Sequence, residues 1–175
     1  RYRNSMKILI TGTRGLAYEL SKAYTNHEVT LASRSTGFDV NNIDHWGHEF
    51  VDHDCVFNCA YDGFAQVKVL EFFYNQWKQD VNKQIVSIGS RVISFKRSEN
   101  ESGYWAYRLH KQALQQAHDS MLLDAKCDMK IINPGPVDTD MIRHLNCVKL
   151  DTAALANTIK NIAADATIKR VDLWA

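Results

Sequence analysis

The sequence predicts an α/β chain, a doubly wound parallel sheet in a single domain. Three observations carry this. Short apolar runs alternate with segments of helical period along the whole chain. The first two runs enclose a glycine turn and a helix, which makes a βαβ unit. Glycine, serine and asparagine stand where those runs end, the edge at which open α/β sheets bind ligands. At 175 residues, with 45% hydrophobic and 23% charged residues, the composition is that of one globular domain with a real core.

Taken in order, Lys7-Ile-Leu-Ile-Thr11 is an apolar run closed by glycine and reads as a buried strand. Gly15–Asn26 places Leu16, Leu20, Ala23 and Tyr24 at helical spacing. Glu28–Ala32 is a second strand. Gly37–Val40 predicts a very short third strand. Only Ser33–Thr36 separate it from the second, too few for a crossover helix, so either that helix is deleted or the segment is merely an edge. Ile43–Glu49 reads as a short helix and Asp54–Asn58 as a strand. Phe64–Lys78 is a helix apolar on more than one side, with Val67, Val69, Leu70, Phe72, Phe73 and Trp77. Gln84–Ile88 is a strand, Arg91–Ser102 a loop, Tyr104–Lys126 a long helix. Met129–Asn133 is a strand stopped by Pro134-Gly135-Pro136. Met141–Leu150 is a short irregular segment, Asp151 caps a helix to about Ala164, and Val171–Trp174 is a last strand. The domain spans residues 6–175, with Arg1–Ser5 read as a leader or expression-derived stretch outside the fold.

Several functions are excluded. A net charge of +1 with no basic run argues against nucleic acid and anionic membrane as partners. No apolar run approaches the ~18 residues of a spanning helix, and no signal peptide is recognisable. Cys55, Cys59, Cys127 and Cys147 lack metal-ligand or disulfide-framework spacing, which fits reduced thiols and a cytoplasmic location. His45-x-x-His48 with Asp52, His53 and Asp54 has no defined ligand set and reads as a solvated helix and turn, so no metal is expected. Cys59 reads as a small buried side chain, and His110 as packing or surface.

The chemistry centres on Tyr107 and Lys111, four apart on one helix face. A lysine cation near a phenol favours the phenolate, which makes an acid–base group usable near neutrality. Seven Tyr and twelve Lys predict about half a Tyr-x-x-x-Lys match by chance, and the chain holds three: Tyr18/Lys22, Tyr74/Lys78 and Tyr107/Lys111. The first two read as surface pairs. Only the third lies between a strand ending in serines and an Asn-Pro-Gly turn. Thr11-Gly12-Thr13-Arg14-Gly15-Leu16-Ala17 joins the first strand to the first helix, where glycines let a pyrophosphate approach the helix N-terminus. Arg34, 22 residues after Gly12, ends the second strand, where an acid would take the ribose hydroxyls and an arginine takes a 2′-phosphate. Arg14 adds a second cation.

In this order the motifs resemble those of the short-chain dehydrogenases/reductases, over about Met6 to Thr139, and imply a Rossmann-type fold. Thr11-Gly-x-x-Gly-Leu-Ala is similar to that family's Thr-Gly-x-x-x-Gly-x-Gly loop, one residue shorter and with Ala17 for the last glycine. Asp39-Val40 resembles its adenine-contacting Asp-Val pair. Asn58-Cys-Ala60 resembles its Asn-Asn-Ala-Gly, which supports the cofactor ribose. Ile85-Val-Ser-Ile-Gly-Ser90 resembles its strand ending in the catalytic serine. Tyr107-x-x-x-Lys111 is similar to its catalytic pair, and Pro134-Gly135-Pro-Val137-Asp-Thr139 to the turn that holds the nicotinamide amide.

The resemblance implies an oxidoreductase working on a carbonyl or alcohol with NADP(H) preferred and NAD(H) possible. Tyr107 would be its general acid/base, Ser90 its oxyanion partner, and Lys111 the group that lowers the Tyr107 pKa and orients the nicotinamide ribose. Ser90 is preferred to Ser94, although Ser94 lies closer to the family spacing. The family's relay asparagine lacks a counterpart; Gln66 stands near the place and Asn75 too late. Family helices matching Phe64–Lys78 and Tyr104–Lys126 pack against a second subunit, implying a homodimer or homotetramer. A non-catalytic NADP(H)-binding regulator and a sugar-nucleotide reductase or epimerase are the alternatives.

Overall fold

The computed structural model describes residues 5–94 and 104–174. Six parallel strands form one sheet in the order β2-β1-β3-β4-β5-β6. They are β1 (Lys7–Thr11), β2 (Glu28–Ala32), β3 (Cys55–Asn58), β4 (Gln84–Ile88), β5 (Asp128–Pro134) and β6 (Arg170–Leu173). The near-continuous apolar character of β1, β3, β4 and β5 follows from burial on both faces, as parallel sheets require. Lys130, in the middle of β5, is fully buried, yet its Nζ donates to Asp165 O at 2.6 Å and Ile168 O at 2.9 Å in the turn before β6.

Helices α1 (Leu16–Ala23) and α5 (Thr152–Ala164) cover one face, around Ile8, Ile10, Leu20, Phe57 and Ile159. Asp151 caps α5 by accepting from Ala154 N at 2.7 Å. On the other face lie α2 (Ile43–Trp46), α3 (Ala65–Trp77) and α4 (Tyr104–Leu122), around Leu9, Val56, Leu70, Phe73 and Leu114.

Two expectations change here. Gly37–Val40 is not a strand: Asp39 caps a 3₁₀ turn, Val40–Asn42, and β2 is the sheet edge. The segment is instead folded down by its aromatic residues. Phe38, Trp46 and Phe50 cluster with centroids 5.1–5.7 Å apart, and Trp46 Nε1 donates to Asp39 O at 2.7 Å. This cluster also accounts for the apolar surplus of α3. Phe72, Phe73 and Trp77 are buried within the same core as Ile43, Trp46 and Phe50, so α3 is covered from within the chain. The exposed large apolar side chains on the other long helix are Trp105 and Leu109.

Candidate active site

The strand order turns back between β1 and β3, which opens a crevice at their carboxyl ends. Thr11, the last residue of β1, stitches its floor: its Oγ1 accepts from Cys59 N at 2.9 Å and Ala60 N at 3.0 Å. The glycine loop rises above it. Gly12 and Gly15 have φ of 102° and 55°, a region costly to side-chain-bearing residues. A Cβ on Gly12 would stand 3.1 Å from the Ala17 Cβ and 3.8 Å from the Ala60 Cβ. One on Gly15 would stand 3.1 Å from Thr139 Cγ2. The 12–15 loop, Ala60 and the turn after β5 therefore meet, although they are scattered in sequence. Thr13 is half-buried, Arg14 exposed, and Leu16 packs toward the α1 core. Pro134 closes β5, Gly135 N donates to Leu173 O at 2.9 Å, and Val137 bridges to Leu150.

Arg34 follows β2 on a 3₁₀ turn with its side chain 75% exposed, and its Nη1 lies 4.0 Å from Asp62 Oδ2. Asn41 Nδ2 ties Asp62 (2.7 Å) to Asp39 (3.2 Å), and Asp39 also accepts from Asn41 N at 2.9 Å. Asp39, Asn41, Asp62 and Arg34 thus form a polar fence on the crevice flank. Two expected cofactor residues point elsewhere. Val40 is buried in the core, and the fully buried Asn58 uses Nδ2 to hold Gln66 O at 2.7 Å.

Tyr107 and Ser90 are brought together from α4 and the end of β4 by a side-chain hydrogen bond. Ser90 Oγ also accepts from Val92 N at 3.2 Å. Ser94 is exposed and lines a separate cleft with Leu109, Gln112 and Gln116. Gly89, just before Ser90, has no room for a side chain: a Cβ would fall 1.9 Å from the Oδ1 of fully buried Asn133.

Lys111 is 4% exposed, and its Nζ donates to Gln66 Oε1 at 2.7 Å and Ile88 O at 2.8 Å. The Nζ stands 5.6 Å from the Tyr107 ring centroid. The expectation that Lys111 lowers the Tyr107 pKa is corrected by this burial. Burial pushes the phenol up to about 12, against the opposing Ser90 hydrogen bond. Burial also pulls Lys111 down, to about 7. Tyr107 is therefore a protonated phenol across the neutral range.

The four-residue spacing does not distinguish this pair locally, as the three matches in the sequence already imply. Lys22 and Lys78 stand 5.1 Å and 5.5 Å from the Tyr18 and Tyr74 rings, nearly as Lys111 does from Tyr107. What differs is burial and position at the strand ends.

Tyr61 belongs to the site as well, although no spacing or motif assigns it a role. Its ring meets the Tyr107 ring edge-on at 4.8 Å, and its hydroxyl bonds His110 Nδ1 at 2.9 Å. His110 also packs on Phe64 at 4.4 Å, so it pins the 60–64 loop to α4. The signal lay in the tyrosine standing where the resembled Asn-Asn-Ala-Gly pattern has glycine. Among the described residues no group of three or more His, Cys, Asp or Glu is placed to hold a metal, and no helix is long and apolar enough to cross a membrane.

No family model matches the chain, and no curated protein matches it. Solved structures do. A short-chain dehydrogenase from Burkholderia cenocepacia in complex with NADP superposes with a TM-score of 0.79 at 15% identity, over 98% of this chain and 89% of that one. An alcohol dehydrogenase from the archaeon Thermococcus sibiricus, complexed with 5-hydroxy-NADP, gives 0.76 at 14% identity over 98% and 96%. A 3-ketoacyl-(acyl-carrier-protein) reductase from Brucella melitensis, complexed with NADH, gives 0.74 at 14% identity over 97% and 96%. With its parallel six-stranded sheet and near-complete overlap on these structures, the chain has the short-chain dehydrogenase/reductase fold.

Proposed function

We propose that the chain is an NAD(P)-dependent oxidoreductase, preferring NADP(H), that interconverts a small carbonyl and its alcohol. The observation that carries this reading is the Ser90–Tyr107 contact beside buried Lys111, at the strand ends that also present the glycine loop. The crevice suits a dinucleotide because the 12–15 loop has glycines, both at positive φ, at the two points where a Cβ would crowd Ala17, Ala60 or Thr139. Gly12, Thr13, Arg14 and Gly15 would hold the diphosphate. Arg34 would meet a 2′-phosphate, with Asp39 on the adenine flank and Ala60 beneath the ribose, while Val40 and Asn58 support these segments from the core. Gly135, Val137 and Thr139 would border the nicotinamide.

When bound, the nicotinamide supplies the hydride chemistry. The chain's own residues handle the proton. Tyr107, neutral at physiological pH, gives its phenolic proton to a carbonyl oxygen in reduction and takes it back in oxidation. Ser90 donates to the same oxygen as charge develops there. Lys111, with its pKa near 7, is a cation over the acid half of the neutral range. The four cysteines stand unpaired, which suits a reducing cytoplasm.

A second reading is supported by Lys111 being shut in by Gln66 and Ile88 O: a non-catalytic NADP(H)-binding regulator. One experiment separates the two. The protein is mixed with NADPH or NADH and a panel of aldehydes and ketones, and the reduced-nicotinamide absorbance is followed. Oxidation of NADPH by some member supports the enzyme. Binding without oxidation supports the regulator, and no binding of either cofactor contradicts both.

A further inference from the structure

Gln66 lies in the first turn of α3 yet is only 3% exposed. Its Nε2 donates to Asn58 O at 2.8 Å and to Ile88 O at 3.0 Å, the carbonyls that end β3 and β4. Those two acceptors decide which way round the amide lies, because the reverse orientation would set Oε1 against two carbonyl oxygens. Oε1 is thereby aimed at α4, where it accepts from Lys111 Nζ at 2.7 Å. The backbone is fixed as well, since Gln66 O accepts from Asn58 Nδ2 at 2.7 Å.

The titratable groups facing Lys111 are Cys59 from the end of β3, Tyr61 from the loop beyond it, and Tyr107 from its own helix. Burial pushes the Cys59 thiol and the Tyr107 phenol up to about 12 and raises Tyr61, so all three are neutral near pH 7. None is a counter-ion there. The Lys111 charge then depends on neutral acceptors, of which Ile88 O is shared with Gln66.

We infer that Gln66 is a positioning residue for Lys111, an amide oriented by two strand ends so that its oxygen holds the ammonium charged and stationary beside Tyr107. Its consequence for turnover rests on the oxidoreductase reading; the effect on Lys111 itself does not. A glutamine supports the cation without neutralising it, so the lysine stays within reach of physiological pH. Glutamate would hold it permanently charged, and an apolar residue would let burial discharge it.

The test is a titration of Lys111 in the cofactor-free protein, with isotope-labelled lysine side chains followed by NMR and the Lys111 signal identified by its loss in Lys111→Met. In Gln66→Met the titration midpoint is expected to fall by about one pH unit, and in Gln66→Glu to rise by at least as much. Circular dichroism melts establish that each variant is folded. If one does not fold, the other decides alone. A midpoint shared with the parent, or a rise in Gln66→Met, overturns the inference. With NADPH and a carbonyl, the acid-to-neutral limb of the pH–rate profile should move with the same midpoint. Absence of cofactor binding would remove the oxidoreductase reading while leaving the titration to decide the role of Gln66.

Discussion

Replacing Lys111 by Met should change how stability depends on pH, with little change in packing. The side chain is 4% exposed, and Met keeps most of its aliphatic length. Burial lowers its pKa from the ordinary 10.5 to about 7. Between those values the unfolded chain holds a proton that the folded protein has released. Stability of the parent therefore rises with pH through that window, and the penalty of the buried charge is fully present below it. At ~1.4 kcal/mol per unit, the rise from pH 7 to 10 is on the order of 4 kcal/mol. Met has no charge to bury, but it leaves Gln66 Oε1 without its donor, a loss of about 1–3 kcal/mol. At pH 7 the charge penalty outweighs that loss and leaves the variant ahead by about 1–3 kcal/mol, and the slope is diagnostic. Urea unfolding of both proteins at several pH values across the window measures it, because every other titrating group cancels in the difference. The variant should be favoured at the acid end and the parent at the alkaline end. A difference that stays constant would mean that Lys111 is not buried as described.

Other outcomes follow from the same geometry. Arg34→Asp should cost NADPH affinity about tenfold and leave NADH binding less affected, because it sets a second carboxylate beside Asp62; equal affinities of the parent for the two cofactors would contradict the premise. Gly89→Ala should destabilise by about 1–3 kcal/mol in urea and impair turnover, since Asn133 is held by Gln115 and Asp172 at 2.9 Å and has little room to retreat before the new Cβ. An unchanged unfolding midpoint would refute it. A two-fold dimer is expected through the α4 surface that bears Trp105 and Leu109, 70% and 45% exposed. Light scattering should show it at micromolar concentration, and a monomer would oppose it.

The parallel sheet and the motifs at its strand ends were legible because buried strands are short apolar runs and their ends are marked by Gly, Ser or Pro. The loss of the third strand was half legible. The spacing after Ala32 excluded a crossover helix, but only the Phe38–Trp46–Phe50 cluster shows that the segment folds onto α3 and leaves the sheet. That covering also removes the reason to assign the apolar surplus of α3 to a second subunit. Burial itself is invisible in spacing, so the direction of the Tyr107 and Lys111 shifts could not be read from a four-residue interval. The full role of Gln66 was hidden for a related reason: a glutamine in a first helical turn looks like a solvated residue until two strand ends take its amide. The predicted loop over residues 91–102 lies outside the described residues apart from its start, where Arg91–Ser94 is a 3₁₀ turn.

The most direct measurement is turnover of Tyr107→Phe against Tyr18→Phe and Tyr74→Phe, with NADPH and whichever carbonyl the parent reduces. Phe keeps the ring against Tyr61 and removes the transferable proton. Folding and NADPH binding should therefore survive in Tyr107→Phe while turnover falls by about 10²–10⁴-fold. The other two variants carry the same Tyr-x-x-x-Lys spacing, with Tyr18 exposed and Tyr74 packed partly on the core, and should keep the parent's rate. Full activity in Tyr107→Phe, or a comparable loss in either of the other two, would contradict the assignment of this crevice as the active site.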